Sequence, residues 1–495
     1  MRTRSIVIGL SFVVILTVLA VVIIPRVLKT KQVSSQTYFP TISWRTNTPE
    51  EQGFDSGKLA EGLQTFKRNK INIDSLLIIR NGYVILDAYF YPFDNSIPHK
   101  LASVTKSFTT TLIGIAVDQG KIQLDDPMVT FFSDRSIANL DPRKKSITVQ
   151  QLVSNRNGFE SGCLSGDEST LNSMRSNPDW VQAALDRKVV EDPGTRFCYD
   201  SPGMHLLSAI LQEATGMTEL EFARQNLFEP MGISEVFWQS DPQGYTHGWG
   251  DLFLKPRDAA KIGFLWLNKG MWEGKQIVSE AWVADSVQSL SHGGMDDYGY
   301  GWWVSEDSYY AFGRGGQYVK IYPAYNTIIV TTASGMDYDQ ISPLLIAAFI
   351  DPNQPLPANP TGMAKLESTV TALAQAPQPW PIGALSDTAM AISGKTYAFG
   401  TNIAEVATLR LEFSDNEAKL YMNLEGRDVI WPIGLDGKYR VEPEGLALRG
   451  YWDDPQTFIF DIFEDGLSTF TLHFEDDHII LDAHGLKLEG QVENP

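Results

Sequence analysis

Cysteine is nearly absent from this chain: there are two, Cys163 and Cys198, in 495 residues. No Cys-x-x-Cys pair and no Cys/His cluster is present, so the sequence offers no structural zinc site, and neither a metal nor a cofactor is implied. Basic residues are also in short supply, with 40 Lys and Arg against 60 Asp and Glu and a formal net charge of −20. A nucleic-acid partner needs a basic stripe, which this balance argues against, and the acidity reads as a solvated surface. Low-complexity tracts and repeats of solenoid or propeller type are missing as well.

Long hydrophobic runs are confined to one place. Residues 5–24 (SIVIGLSFVVILTVLAVVII) are almost wholly apolar and end at Pro25 and Arg26. About twenty such residues match a bilayer crossing, whereas a cleavable signal core is about 7–15. The expectation is therefore an uncleaved N-terminal transmembrane helix (1–30) in contact with the lipid bilayer, a linker (31–45), and a body on the extracytoplasmic side, periplasmic or cell-surface. Flanking charge does not set the orientation, because Arg2 and Arg4 precede the run and Arg26, Lys29 and Lys31 follow it. In an exported body Cys163 and Cys198 could pair in a disulfide, and two buried free thiols are the open alternative.

At this length two to four domains are expected. A helical pattern spans Ser56–Lys67, and Asn81-Gly82 between the apolar runs 75–80 and 83–90 predicts a β-hairpin, since both residues accept positive φ. Residues ~101–290 are mostly helical in pattern, and strand signals return at 298–304, 309–312, 318–322 and 327–332 before a helix near 342–350. Strands on both sides of a helical insert predict one sheet whose members are far apart in the chain. Prolines concentrate from 351 to 385, which reads as a linker holding a short helix. Residues 386–495 alternate apolar and polar in short runs, at 409–413, 419–424, 457–462, 469–474 and 479–481, the pattern of an antiparallel barrel or sandwich. Substrate binding, packing on the rest of the chain and assembly all remain open for this last domain. Its histidines, His473, His478 and His484, read as ordinary strand or surface residues.

Chemistry concentrates at Ser103-Val104-Thr105-Lys106, at the head of a helical pattern with Phe108, Leu112 and Ile115 on one face and Gly120 as the stop. Residues i and i+3 are neighbours on a helix, so Lys106 can reach Ser103 Oγ. A serine hydroxyl becomes a useful nucleophile when a nearby base accepts its proton, and a helix N-terminus favours a developing oxyanion. Downstream, Pro193-Gly-Thr-Arg-Phe-Cys-Tyr199-Asp200-Ser201 places Tyr199 and Ser201 on a loop before a helix. A phenol near an ammonium has its phenolate form stabilised and can shuttle protons. Farther on, Phe312-Gly313-Arg314-Gly315-Gly316-Gln317 sets consecutive glycines at a strand edge, where backbone approaches a ligand closely. The N–H of Gln317 can there join that of Ser103 as a two-donor oxyanion hole. Gly-x-Ser-x-Gly is absent, so the nucleophile elbow of α/β-hydrolases is missing, and His247 in Tyr245-Thr-His-Gly-Trp-Gly reads as a loop or packing residue.

Together these segments resemble the serine β-lactamase and penicillin-binding-protein-like hydrolases, above all the class C-type branch with its esterases and 6-aminohexanoate-dimer hydrolases. That family carries Ser-x-x-Lys, then Tyr-x-Asn or Tyr-x-Ser, then a Lys/His/Arg-x-Gly strand motif; here these fall on Ser103/Lys106, Tyr199/Ser201 and Arg314/Gly316. The stretches 147–153, 193–197, 256–263, 298–303 and 315–318 look like the family too, and the likeness covers roughly 45–350. It implies an α+β fold, a helical lobe beside a helix-flanked antiparallel sheet (46–350), with the nucleophile at their junction. It implies Ser103 as nucleophile, Lys106 as base or charge partner, Tyr199 as proton shuttle, and Ser201, Arg314, Gly315 and Gly316 along the substrate. Which of Lys106 and Tyr199 takes the serine proton stays open, because coupled groups titrate as a pair. Ser201 stands where β-lactamases have an asparagine, and Arg314 where the strict motif has a lysine; both changes favour an esterase, amidase or peptidase over an antibiotic-hydrolysing enzyme. The leading expectation is a serine hydrolase acting on an ester or amide of a small molecule or cell-envelope component. A D,D-peptidase or β-lactamase, and a catalytically idle envelope-ligand binding or sensor module of the same fold, are the alternatives. Trp302, Trp303 and Tyr318 either line an acyl pocket or belong to the core.

Overall fold

Asn81 and Gly82 take φ of 51° and 78°, and this two-residue turn folds Ile73–Arg80 back on Tyr83–Tyr89. The computed structural model describes residues 38–493, apart from 163–168, 294–295, 403, 425, 444, 464–466 and 484. In it the hairpin joins a nine-stranded sheet, in the order Arg45–Thr46, Tyr83–Tyr89, Ile73–Arg80, Thr327–Ala333, Gln317–Tyr322, Tyr309–Gly313, Trp303–Val304, Asp297–Tyr298, Ser291–His292. All neighbours are antiparallel except the short first pair. Pairing of Thr327–Ala333 with Ile73–Arg80 joins segments some 250 residues apart, as the split strand pattern implied.

Both faces of the central strands are covered, so their side chains divide by the two-residue period. Leu76 and Ile78 pack with Leu59, Leu63 and Phe66 of the helix Ser56–Arg68, whereas Leu77 and Ile79 enter the larger core beneath the helical lobe. Truncating Leu77, at 0% exposure, opens a cavity between sheet and lobe at a cost of about 2–5 kcal/mol. Pro360–Ala374, within the proline-rich stretch, is a helix laid along Ser56–Arg68, with Gln64 Nε2 donating to Thr369 Oγ1 at 3.1 Å.

The helix Thr105–Asp118 runs through the middle of the lobe and is buried on every side from Thr105 to Ala116 rather than on one face. Its hydroxyls are satisfied by backbone carbonyls of the segments packed on it: Ser107 Oγ to Gly301 O, Thr109 Oγ1 to Gly248 O and Thr110 Oγ1 to Tyr300 O. Trp302 and Trp303 are core residues here, and Tyr318 is half-buried.

The C-terminal segment closes as a barrel of nine strands, from Thr396–Phe399 to Leu486–Val492, with Arg440–Val441 appended at its edge. Leu409, Leu420, Phe458, Phe460 and Leu472 fill its interior. Four strands lay beyond the sequence pattern: Thr396–Phe399, Arg427–Gly434, Ala447–Asp454 and Leu486–Val492. Gly450 and Gly490 take inward positions in two of them, Pro432 lies on the outer face of a third, and Thr396–Phe399 is only four residues long, all of which blunts the alternation.

The expected N-terminal transmembrane helix is corrected. No helix among the described residues is long and apolar enough to cross a membrane. The run expected to do so, residues 5–24, lies outside the described residues. The fold is thus an α+β unit followed by a β-barrel, and neither a membrane anchor, a bilayer partner nor an extracytoplasmic location is part of the account.

Glu219 opens the short helix Glu219–Ala223 and is fully buried, with the hydroxyls of Thr109 and Ser208 as polar neighbours. Burial pushes its carboxyl up from 4.5 to about 7, against the pull of the two hydroxyls. The folded state thus keeps a proton that the unfolded chain releases, so stability falls as pH rises from about 4.5 to 7. Urea melts across that window should show wild type losing about 3 kcal/mol relative to Glu219→Gln. Equal slopes for the two proteins contradict the assignment.

Candidate active site

Ser103 sits in a tight turn, Ala102–Val104, that leads directly into the helix Thr105–Asp118. Ala102 has φ of 45°, a left-handed conformation that costs a residue with a Cβ and turns the chain sharply just before the serine. Opposite lies Gly313, the last residue of its strand: a Cβ there would meet Leu101 O at 2.5 Å and Ser103 N at 3.0 Å. Only glycine allows the sheet edge to approach the serine amide this closely.

Lys106, at 1% exposure, donates from Nζ to Ser103 Oγ at 2.8 Å and to the carbonyl of Trp249 at 2.9 Å. The same Nζ lies 4.8 Å from the centre of the Tyr199 ring. Ser103, Lys106 and Tyr199, from two distant segments, therefore meet in one place. Tyr199 stacks on Trp303 at 6.1 Å and meets the edge of Tyr298 at 6.4 Å.

Two supports were not legible as functional residues. One is the segment 245–251, which supplies the Trp249 carbonyl. His247 Nδ1 bonds Asp251 at 2.8 Å, and its ring packs in one cluster with Trp249 at 4.4 Å and Trp180 at 5.0 Å, a packing role. Burial alone would raise the Asp251 carboxyl, but the His247 hydrogen bond and the nearby Lys100 hold it well below the ordinary range. The other is Asp200, between Tyr199 and Ser201. It is wholly buried and gripped by both guanidinium nitrogens of Arg187, at 2.7 and 3.0 Å, and by Asn157 at 2.9 Å. A backbone carbonyl leaves no trace in side-chain type, and a carboxylate beside a tyrosine reads as surface unless its arginine partner is known.

A cleft of about 180 Å³ opens at Ser103, lined also by Lys100, Arg175, Trp249, Asp251 and Arg314. Lys106 and Tyr199 lie behind Ser103 and are not among the cleft's described lining residues, nor are Ser201, in the first turn of the helix Ser201–Thr215, Gly315, Gly316 and Gln317. Gly315 and Gly316 have φ of 87° and 100° and form the turn behind Arg314. The Gly315 carbonyl accepts from the amides of Gly335 and Met336, and the Gln317 carboxamide bonds both backbone groups of Ala333. Cys198 is disulfide-bonded; Cys163, the other cysteine of the chain, lies outside the described residues. His473 bonds Thr457 and Glu475, His478 is exposed, and His484 lies outside the described residues. Among the described residues no group of His, Cys, Asp or Glu is arranged to hold a metal ion.

A lobe-and-sheet architecture with a Ser-x-x-Lys turn at the junction defines the β-lactamase-like class. The family model described as Beta-lactamase matches residues 64–348, and the chain belongs to that family. The 6-aminohexanoate-dimer hydrolase of Paenarthrobacter ureafaciens is 24% identical over 288 residues, 54% of this chain and 74% of that protein. Protein flp of Staphylococcus aureus (strain MRSA252) is 25% identical over 181 residues, so this chain spans 36% of that protein's length. Among solved structures, a candidate 6-aminohexanoate-dimer hydrolase from Bacillus anthracis shares the fold at TM-score 0.53 and 21% identity, covering 64% of this chain and 88% of that one. EstCE1, a hydrolase with promiscuous acyltransferase activity, does so at TM-score 0.51 and 16% identity, covering 59% and 99%.

Removing one partner of the buried Arg187–Asp200 pair leaves the other charge uncompensated. Arg187→Ala is expected to lower unfolding free energy by about 3–5 kcal/mol in urea melts. A loss below about 1 kcal/mol, the range of surface pairs, contradicts this reading.

Proposed function

We propose that the protein is a serine hydrolase that cleaves an ester or amide through an acyl-enzyme on Ser103. The observation that carries the reading is the 2.8 Å hydrogen bond from buried Lys106 Nζ to the Oγ of Ser103, a residue that lines an open cleft. Ser103 Oγ attacks the carbonyl carbon, its proton passes to the Lys106–Tyr199 pair, and the carbonyl oxygen becomes an oxyanion. The serine amide and an amide of the hairpin 313–317 stabilise that charge. The second donor is assigned to Gln317, which pairs across the hairpin with Gly313, the residue that approaches the serine amide. The leaving group departs with the proton from Tyr199, and water, deprotonated by the same pair, releases the acyl group. Arg314 and Ser201 are assigned to the substrate, which we take to be a small molecule. Support comes from family membership and from relatives that include a hydrolase of the 6-aminohexanoate dimer.

Kinetics on an ester and amide panel test the proposal. Ser103→Ala is expected to abolish turnover and fluorophosphonate labelling while the fold survives, and Lys106→Ala to lower kcat by about 10²–10⁴. Folded wild type that takes no label and turns over no panel member contradicts it.

A further inference from the structure

The strand carrying Lys100 into the active-site turn is reached through an eleven-residue strap, Phe90 to Lys100, which the C-terminal barrel grips from outside. Tyr91 Oη accepts the Tyr439 amide at 2.7 Å, and their rings lie 6.2 Å apart. Phe93, at 4% exposure, meets Phe463 of the barrel at 5.7 Å and His99 of the strap at 4.7 Å. A Cβ on Gly445, in the barrel turn before Ala447–Asp454, would stand 2.6 Å from Pro98 O, so backbone touches backbone there. Phe463 ends the strand Thr457–Phe463, on the face opposite the interior residues Phe458 and Phe460, and so contributes nothing to the barrel's own core. On that outer face Asp461 is nevertheless buried, bonded to Arg449, whose guanidinium lies 4.8 Å over the Tyr439 ring.

The strap then passes into the site. His99 and Lys100 pair with Leu254 and Phe253, Lys100 reaches Asp251 at 3.5 Å, and the Leu101 amide donates to Leu252 O at 2.8 Å. Ser103 follows two residues later. His99 is fully buried against Phe93, and burial pushes its imidazole down to about 3, against the pull of Asp94.

We propose that the barrel is a clamp on the catalytic turn: Tyr439, Phe463 and the Gly445 turn are positioning elements that hold 91–100 in place and, through it, the geometry of Ser103. The consequence for catalysis rests on Ser103 being the nucleophile; the mechanical coupling does not.

Hydrogen–deuterium exchange on the full chain separates the two. In Phe463→Ala, Tyr439→Ala and the double variant, the amides of Leu101 and Val104 are expected to exchange about tenfold faster, with the barrel strands 406–424 and the hairpin 73–89 unchanged. In the same proteins kcat falls about tenfold with KM within about twofold, because the serine is displaced rather than the substrate lost. Phe463→Leu restores both, and Tyr91→Phe, which removes only the acceptor, gives a smaller effect in the same direction should an alanine variant not fold. Unchanged exchange across 91–104 in the double variant overturns the clamp, as does equal acceleration in the hairpin 73–89. If wild type shows no turnover, the nucleophile assignment fails while exchange still decides the clamp.

Discussion

One ammonium group, taken almost wholly out of water, organises this molecule. Burying a cation is costly unless its protons find acceptors, and Lys106 Nζ finds them in Ser103 Oγ, the Trp249 carbonyl and the face of Tyr199. Each acceptor belongs to a different segment, so the cost of burial is offset only when the helix, the 245–251 loop and the 199–201 loop are together. The hydroxyls of Ser107, Thr109 and Thr110 fasten the same helix to the carbonyls of residues 301, 248 and 300. Site assembly and lobe packing are in this sense one event.

Around that centre the backbone is set in conformations that side chains would resist. Ala102 is left-handed, and Gly313 tolerates a neighbour at 3.0 Å from where its Cβ would be. Such geometry persists because packing over-determines it. The Arg187–Asp200 pair below Tyr199, and the strap between barrel and serine, supply that packing from two sides.

Much of this was legible in the chain. The Asn81-Gly82 hairpin, the split sheet and the Ser103/Lys106 spacing follow from local rules that depend on neighbours in sequence. Four barrel strands did not show: Pro432, Gly450 and Gly490 break the pattern in three, and Thr396–Phe399 is too short to display it. Trp249 escaped because its carbonyl, not its indole, meets Lys106, and Asp200 because its arginine lies thirteen residues away. The transmembrane helix expected from residues 5–24 was read from hydropathy alone and has no counterpart among the described helices.

Trapping the intermediate tests the central claim most directly. Wild type mixed with a slowly hydrolysed ester, quenched in acid and mapped by peptide mass spectrometry, should carry the acyl mass on Ser103 during turnover and lose it once substrate is spent. An adduct on any other residue, or steady hydrolysis with no adduct at Ser103, contradicts the account.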